Sequence, residues 1–211
     1  AFGVGVRYVS AASSLKSSHC DREYSVTMTG LQPALGAGFG CGTIVGMDSA
    51  LRPRRSVLFM PGANARALEK ARSIDCDGII IDLEDAVAPD LKVEARERTA
   101  GVVRGHPYGY REVAIRVNGM DTQWYHDDLV AAVAAGPDAI AVPKVSSAEQ
   151  VRAIVADMEA AGADKSVKLW AMIETPRAVL DCLDIAEASD RLTVLIMGTN
   201  DLTKELRASH V

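Results

Sequence analysis

Carboxylates and cations recur just after apolar runs in this sequence. "DGIIIDLEDAV" runs three isoleucines into Asp82, Glu84 and Asp85, and "AIRVNG" carries Arg116 and Asn118. "VPKV" carries Lys144, "LWAMIE" ends in Glu174, and "LIMGTND" ends in Asp201. If those runs are neighbouring strands, their ends lie about 4.8 Å apart, and Glu174 with Asp201 can grip one ion. Oxygen donors without histidine or thiolate select a hard dication, Mg2+ or else Mn2+. Such an ion keeps positions for water and for a chelating oxo or hydroxy acid. The plainer reading makes Glu174 a salt-bridge partner and Asp201 a helix cap. Arg116, flanked by apolar residues, offers a planar fork that suits a substrate carboxylate. An ion pair with the preceding acids is the alternative. Alternation sends Asp82 and Glu84 one way and Leu83 the other, so these acids need not all oppose one another. Asp82, Glu84, Asp85 and Lys144 fit as the outer partners of a hydrated dication, or as ion pairs among themselves and with Arg116.

Six strand–helix units must position these residues. "SVLFMPG" precedes helical spacing in "NARALEKARSI", and "DGIIIDLED" precedes "PDLKVEARERTAGVV", with Pro89 near its start. "EVAIRVNG" leads to "DTQWYHDDLVAAVAAG", ended by Gly136. "DAIAVPKV" leads to "SSAEQVRAIVADMEAAG", with Ser147 or Ser146 as cap and Gly162 as stop. "VKLWAMIET" leads to "PRAVLDCLDIAEAS", and "LTVLIMGT" to "NDLTKELRAS". Strict alternation, with strands apolar on both faces, predicts a parallel sheet covered by helices. A Rossmann fold would show G-x-G-x-x-G after an early strand, and none is present. A (β/α)8 TIM barrel gathers all strand ends into one ring, where barrel active sites lie, whereas an open sheet spreads them along an edge. The barrel is the favoured α/β architecture, with about six of its eight units in this chain. Trp124, Tyr125 and the methionines read as packing.

Composition narrows the function classes. The chain has 211 residues, 48% of them hydrophobic and 24% charged, with a net charge of −5. No basic block accompanies that charge, so nucleic acid is not an expected partner. No apolar run approaches the roughly 20 residues of a membrane span. Cys20, Cys41, Cys76 and Cys182 are scattered, and His19, His106, His126 and His210 lack ligand spacing. A reducing cytoplasm is the expected compartment. Residues 1–46 hold only five charged side chains and a glycine-rich stretch, "GLQPALGAGFGCGTIVG". They read as an unstructured or leader-like segment, with organellar targeting as the lesser alternative. The catalytic domain is expected over residues 47–211, starting near Met47.

The blocks "RRSVLFMPG", "DGIIIDLEDAVAP", "IRVNG", "VPKVSSAEQV", "MIETPRAV" and "GTNDL" occur in this order. Together they resemble the citrate lyase β-subunit and malyl-CoA lyase branch of the HpcH/HpaI aldolase superfamily, from Arg54 to Leu206. The resemblance implies a TIM barrel and Mg2+-dependent, reversible carbon–carbon cleavage of a 3-hydroxyacyl-CoA such as citryl-CoA or malyl-CoA. The products would be acetyl-CoA and an oxo acid. It implies a homo-oligomer or a subunit of a lyase complex. It implies Glu174 and Asp201 as metal ligands, Arg116 as the carboxylate-binding arginine, and Phe59 and Lys70 as contacts for CoA. Where some members have arginine, this chain has Asn64, with Arg66 as a candidate substitute. An aspartate that serves the acetyl group in the family has no match here. Two alternatives stand: an aldolase acting on free 2-oxo or hydroxy acids, and an inactive fragment or subunit of a larger lyase. Six units leave a barrel short of two, so the chain alone is expected to be poorly active, and residues 1–46 are not expected to repair it.

Overall fold

The computed structural model describes residues 52–209 in full and, for residues 8–10 and 24–27, the backbone. Six strands follow the expected units: β3 (Ser56–Pro61), β4 (Gly78–Asp82), β5 (Glu112–Arg116), β6 (Ala139–Val142), β7 (Lys168–Ile173) and β8 (Leu192–Met197). They pair in chain order and in parallel, as a curled half-barrel. Two shorter strands flank them. β1 (Tyr8–Ser10) runs parallel to β8, and β2 (Tyr24–Thr27) runs antiparallel to β3. Both belong to residues 1–46, read from the sequence as an unstructured or leader-like segment, and they lie on the two edges of the six-strand set. β1 and β2 approach each other, but no ladder joins them among the described residues. The rest of residues 1–46 and the expected boundary at Met47 lie outside the described residues.

The strands form where β-branched and small residues are buried on both faces. Ile79, Ile80 and Ile81 are all fully buried, as are Ala139 to Val142. Inside the curl, Phe59, Ile80, Met172 and Ile196 pack around Trp170, and Ala114, Ala139 and Ala141 leave the volume the indole fills. Outside it, Leu68, Val103, Leu129, Ile154 and Ile185 join the helices to the opposite face of the sheet. Burying each large aliphatic side chain contributes about 1.5–3 kcal/mol, so these two layers dominate the fold's energetics.

The helices are α1 (Ala65–Lys70), α2 (Lys92–Arg104), α3 (Tyr125–Ala135), α4 (Ala148–Ala160), α5 (Pro176–Leu180), α6 (Cys182–Ala186) and α7 (Thr199–Glu205). Ser147 rather than Ser146 caps α4, its Oγ accepting from the Gln150 amide. Gly136 ends α3 in the left-handed region at φ 67°, which costs glycine nothing. The helix expected over "PRAVLDCLDIAEAS" is broken at Asp181, where φ −95° and ψ 13° separate α5 from α6. The helix expected over "NARALEKARSI" stops at Lys70. No helix of the described residues is long and apolar enough to cross a membrane.

Candidate active site

Asp82 and Arg116 are register partners at the ends of β4 and β5, so their side chains leave the sheet on the same face. Arg116 donates from Nε to Asp82 Oδ1 at 2.7 Å and from Nη2 to Oδ2 at 2.6 Å. Its guanidinium lies over the Phe59 ring, 5.2 Å from the centroid, and both residues are buried. Burial alone would lower the Arg116 pKa, but Asp82, Glu84 and Asp85 together raise it. One edge of the fork is therefore spent on Asp82, and Nη1 has only a long contact to Met172 Sδ, at 3.9 Å. That nitrogen lies 2.9 Å from Glu84 Oε2 and 3.9 Å from Asp85 Oδ2. The Glu84 oxygen is close but off the donor direction, and it has no hydrogen-bond partner among the described residues.

The loop that carries Glu84 is tied from both sides. Asp82 accepts the amides of Glu84 (2.8 Å) and Ala86 (3.0 Å). The ammonium of Lys92, at the start of α2, donates to the carbonyls of Leu83 (2.8 Å) and Glu84 (2.6 Å) and to Asn118 Oδ1 (2.7 Å). Lys92 also lies over the Trp124 ring. Asn118 donates from Nδ2 to Leu83 O and to Asp128, and Arg96 pairs with the other oxygen of Asp128. Burial lowers the Lys92 pKa, opposed by Asp82, Asp128, Glu84 and Asp85.

Across the ring, Glu174 follows β7 directly and is buried. Its Oε2 accepts the Lys144 amide at 3.0 Å. Lys144 holds φ at 56°, a strained value for a residue with a side chain, and that turn aims its amide at Glu174. Gly198, after β8, leaves the room Glu174 occupies, because a Cβ there would overlap its carboxyl group. Asp201 stands in the first turn of α7, and its charge bears on both Glu174 and Lys144.

The electrostatics are unbalanced in one direction. Burial, with the charges of Asp85, Glu174 and Asp82, pushes the Glu84 carboxyl up to about 8 against the pull of Arg116. Burial also raises Glu174, assisted by Asp201 and opposed by the Lys144 amide and Arg116. Lys144 would be lowered by burial, but Glu84, Asp201, Asp85 and Glu174 outweigh it and raise it. Excess negative charge from oxygen donors suits a hard dication, and the partnerless Glu84 oxygen suits a bound water or hydroxyl. No group of three or more His, Cys, Asp or Glu is placed for a metal among the described residues.

The fold brings Asp82, Glu84, Asp85, Arg116, Lys144, Glu174 and Asp201 to the carboxyl ends of β4 to β8. The arginine–acid pairing weighed as the plainer reading of Arg116 is present. Phe59 is buried beneath the Arg116 guanidinium, and Lys70 is exposed in the last turn of α1. Asn64 caps α1, accepting the amides of Arg66 and Ala67. The sequence reading missed Lys92, Asp128 and Arg96. One signal was available for Lys92: a cation in the first turn of a helix opposes the helix dipole and needs another reason to be there.

The family model for HpcH/HpaI aldolase/citrate lyase matches residues 55–211. A (3S)-malyl-CoA thioesterase of Cereibacter sphaeroides is 50% identical over 160 residues, which are 76% of this chain and 54% of that protein. Citrate lyase subunit beta of Escherichia coli (strain K12) is 35% identical over 161 residues, 74% of this chain and 53% of that protein. The solved structure of the citrate lyase beta subunit from M. tuberculosis, complexed with oxaloacetate and magnesium, aligns with a TM-score of 0.58 at 29% identity. That alignment covers 73% of this chain and 62% of the other. The chain spans about half the length of the curated relatives it matches.

Proposed function

The chain belongs to the HpcH/HpaI aldolase/citrate lyase family, and on that premise we propose that the complete protein is a Mg2+-dependent lyase of a malyl-CoA-type thioester. The observation that carries the reading is the ring of Arg116, Glu84, Lys144, Glu174 and Asp201 at the strand ends, with its surplus of negative oxygen donors. These groups act on one another's charge across the strand ends, which suits the oxo-acid half of such a substrate. Glu174 and Asp201 would hold the dication, whose chemistry is to draw charge from the substrate's α-oxygen as a Lewis acid. Arg116, braced by Asp82, offers its Nη1 edge to the substrate carboxylate. Glu84, pushed up to about 8 and with one oxygen that accepts no hydrogen bond among the described residues, exchanges the hydroxyl proton. The bond between the carbinol and methylene carbons breaks, and the hydroxyl proton passes to Glu84. The electron pair stays on the thioester enolate, whose methylene carbon takes that proton back from Glu84 to give acetyl-CoA and restore the carboxylate. A closed (β/α)8 barrel, assembly as a homo-oligomer or lyase-complex subunit, and residence in a reducing compartment complete the proposal.

The 50% identity to a malyl-CoA thioesterase favours a second reading, hydrolysis of the same thioester at the same site. The products separate the two. Cleavage of malyl-CoA by the full-length protein should yield glyoxylate and acetyl-CoA with no new free thiol, whereas hydrolysis yields malate and free CoA. Under either reading turnover should stop in EDTA and in Glu174→Gln. Turnover that survives both would remove the metal-assisted reading.

A further inference from the structure

Lys92 is buried, charged and unused by the chemistry proposed above. Its ammonium has three donors, and all three are spent: on Leu83 O, Glu84 O and Asn118 Oδ1. A trans peptide sends its carbonyl and its N–H in opposite directions. A clamp on the Leu83 carbonyl therefore turns the Glu84 amide outward, and that amide meets Asp82 Oδ1. The Ala86 amide completes the turn on Oδ2. The carboxylate so fixed is the one that receives both edge nitrogens of Arg116. The chain of contacts thus runs from a helix start, through two peptide groups and one carboxylate, to the guanidinium.

We propose that Lys92 is a positioning residue, clamping the acidic loop from beneath so that Asp82 and Glu84 hold Arg116 at the angle the site needs. The role for Arg116 rests on the proposed function, whereas the clamp is a property of the loop. Lysine suits the task because its three donors diverge towards three acceptors, which a planar guanidinium fork does not match. Replacement should spare the fold, because each loop carbonyl keeps another donor: Leu83 O has Asn118 Nδ2, and Glu84 O has the Val87 amide.

The test is residue-resolved amide exchange on the full chain, joined to calorimetry of oxaloacetate with Mg2+. In Lys92→Met, exchange at Glu84 and Ala86 should quicken by at least about tenfold, since charged hydrogen bonds are lost, while β5 to β7 keep their protection. Oxaloacetate affinity should fall by a similar factor, and Lys92→Arg should not restore it. Asn118→Ala, which removes one acceptor and one supporting donor, should show a smaller change at the same two amides, and it decides the matter if Lys92→Met does not fold. Unchanged exchange at Glu84 and Ala86, or loosening spread evenly over the sheet, would overturn the clamp. Loosened amides with unchanged oxaloacetate affinity would reduce Lys92 to a structural residue. If the unaltered protein binds no oxaloacetate, the proposed function fails, and the exchange measurements still decide the clamp.

Discussion

Glu84 approaches Arg116 to 2.9 Å and still titrates high, because it is buried, that guanidinium is already committed to Asp82, and the other surrounding charges are mostly negative. Asp82 and Asp85 face it from its own loop, Glu174 from the end of β7, and Lys144 from beyond β6. The consequence for stability has a definite sign. An unfolded glutamate titrates near 4.5 and this one near 8, so across that window the folded protein keeps a proton that the unfolded chain releases. Its contribution is level below the window, falls as pH rises through it, and is level again above. Glu174 is shifted the same way and adds to the trend. Unfolding free energies from urea titrations should therefore drop between about pH 5 and about pH 9, by at most a few kcal/mol. Glu84→Gln should flatten that decline and be the more stable protein at the alkaline end. Parallel pH profiles for the two proteins would show that Glu84 ionises normally.

At the scale of elements, the opposite mouth of the curl is held by a buried pair. Arg54, just before β3, reaches Glu112 at the start of β5 with 2.5 and 2.7 Å hydrogen bonds, and its guanidinium lies over Trp170. Arg54→Ala would leave the Glu112 charge buried without its partner, at a cost of about 3–5 kcal/mol. Arg54→Met combined with Glu112→Leu should recover most of that loss, because two apolar side chains remove both charges together. A double variant no more stable in urea than Arg54→Ala would mean that packing around Trp170, not charge, sets the cost. This pair marks the limit of what the chain's letters disclose. The six strands were legible because runs such as "GIII" and "AIAV" are apolar on both faces, and the ring residues because each follows such a run. The pairing of Arg54 with Glu112, 58 residues away, was not, and nor was that of Lys92 with Asn118. Tertiary register alone creates those contacts. The break between α5 and α6 was hidden for a related reason: "VLDCLDIA" continues a helical pattern, and only the backbone at Asp181 departs from it.

For the whole molecule, the question is what a curled sheet does with its two edges. A strand edge carries unpaired amides and carbonyls and invites pairing with other chains. β3 and β8 are the outer members of the six strands that follow residue 52, and the first residues of the chain meet both: four residues of β2 on β3, and three of β1 on β8. From the sequence, deleting residues 1–46 should cost nothing. The observed pairing predicts otherwise. The deletion should speed amide exchange in β3 and β8, while β5, β6 and β7, which have partners on both sides, keep their protection. It should also raise concentration-dependent self-association in sedimentation, because the bared edges find each other. If exchange in β3 and β8 is the same with and without residues 1–46, those ladders contribute nothing in solution. The open edges must then be covered by something else, and the curl would owe its order to the interior around Trp170 and to the helices outside it.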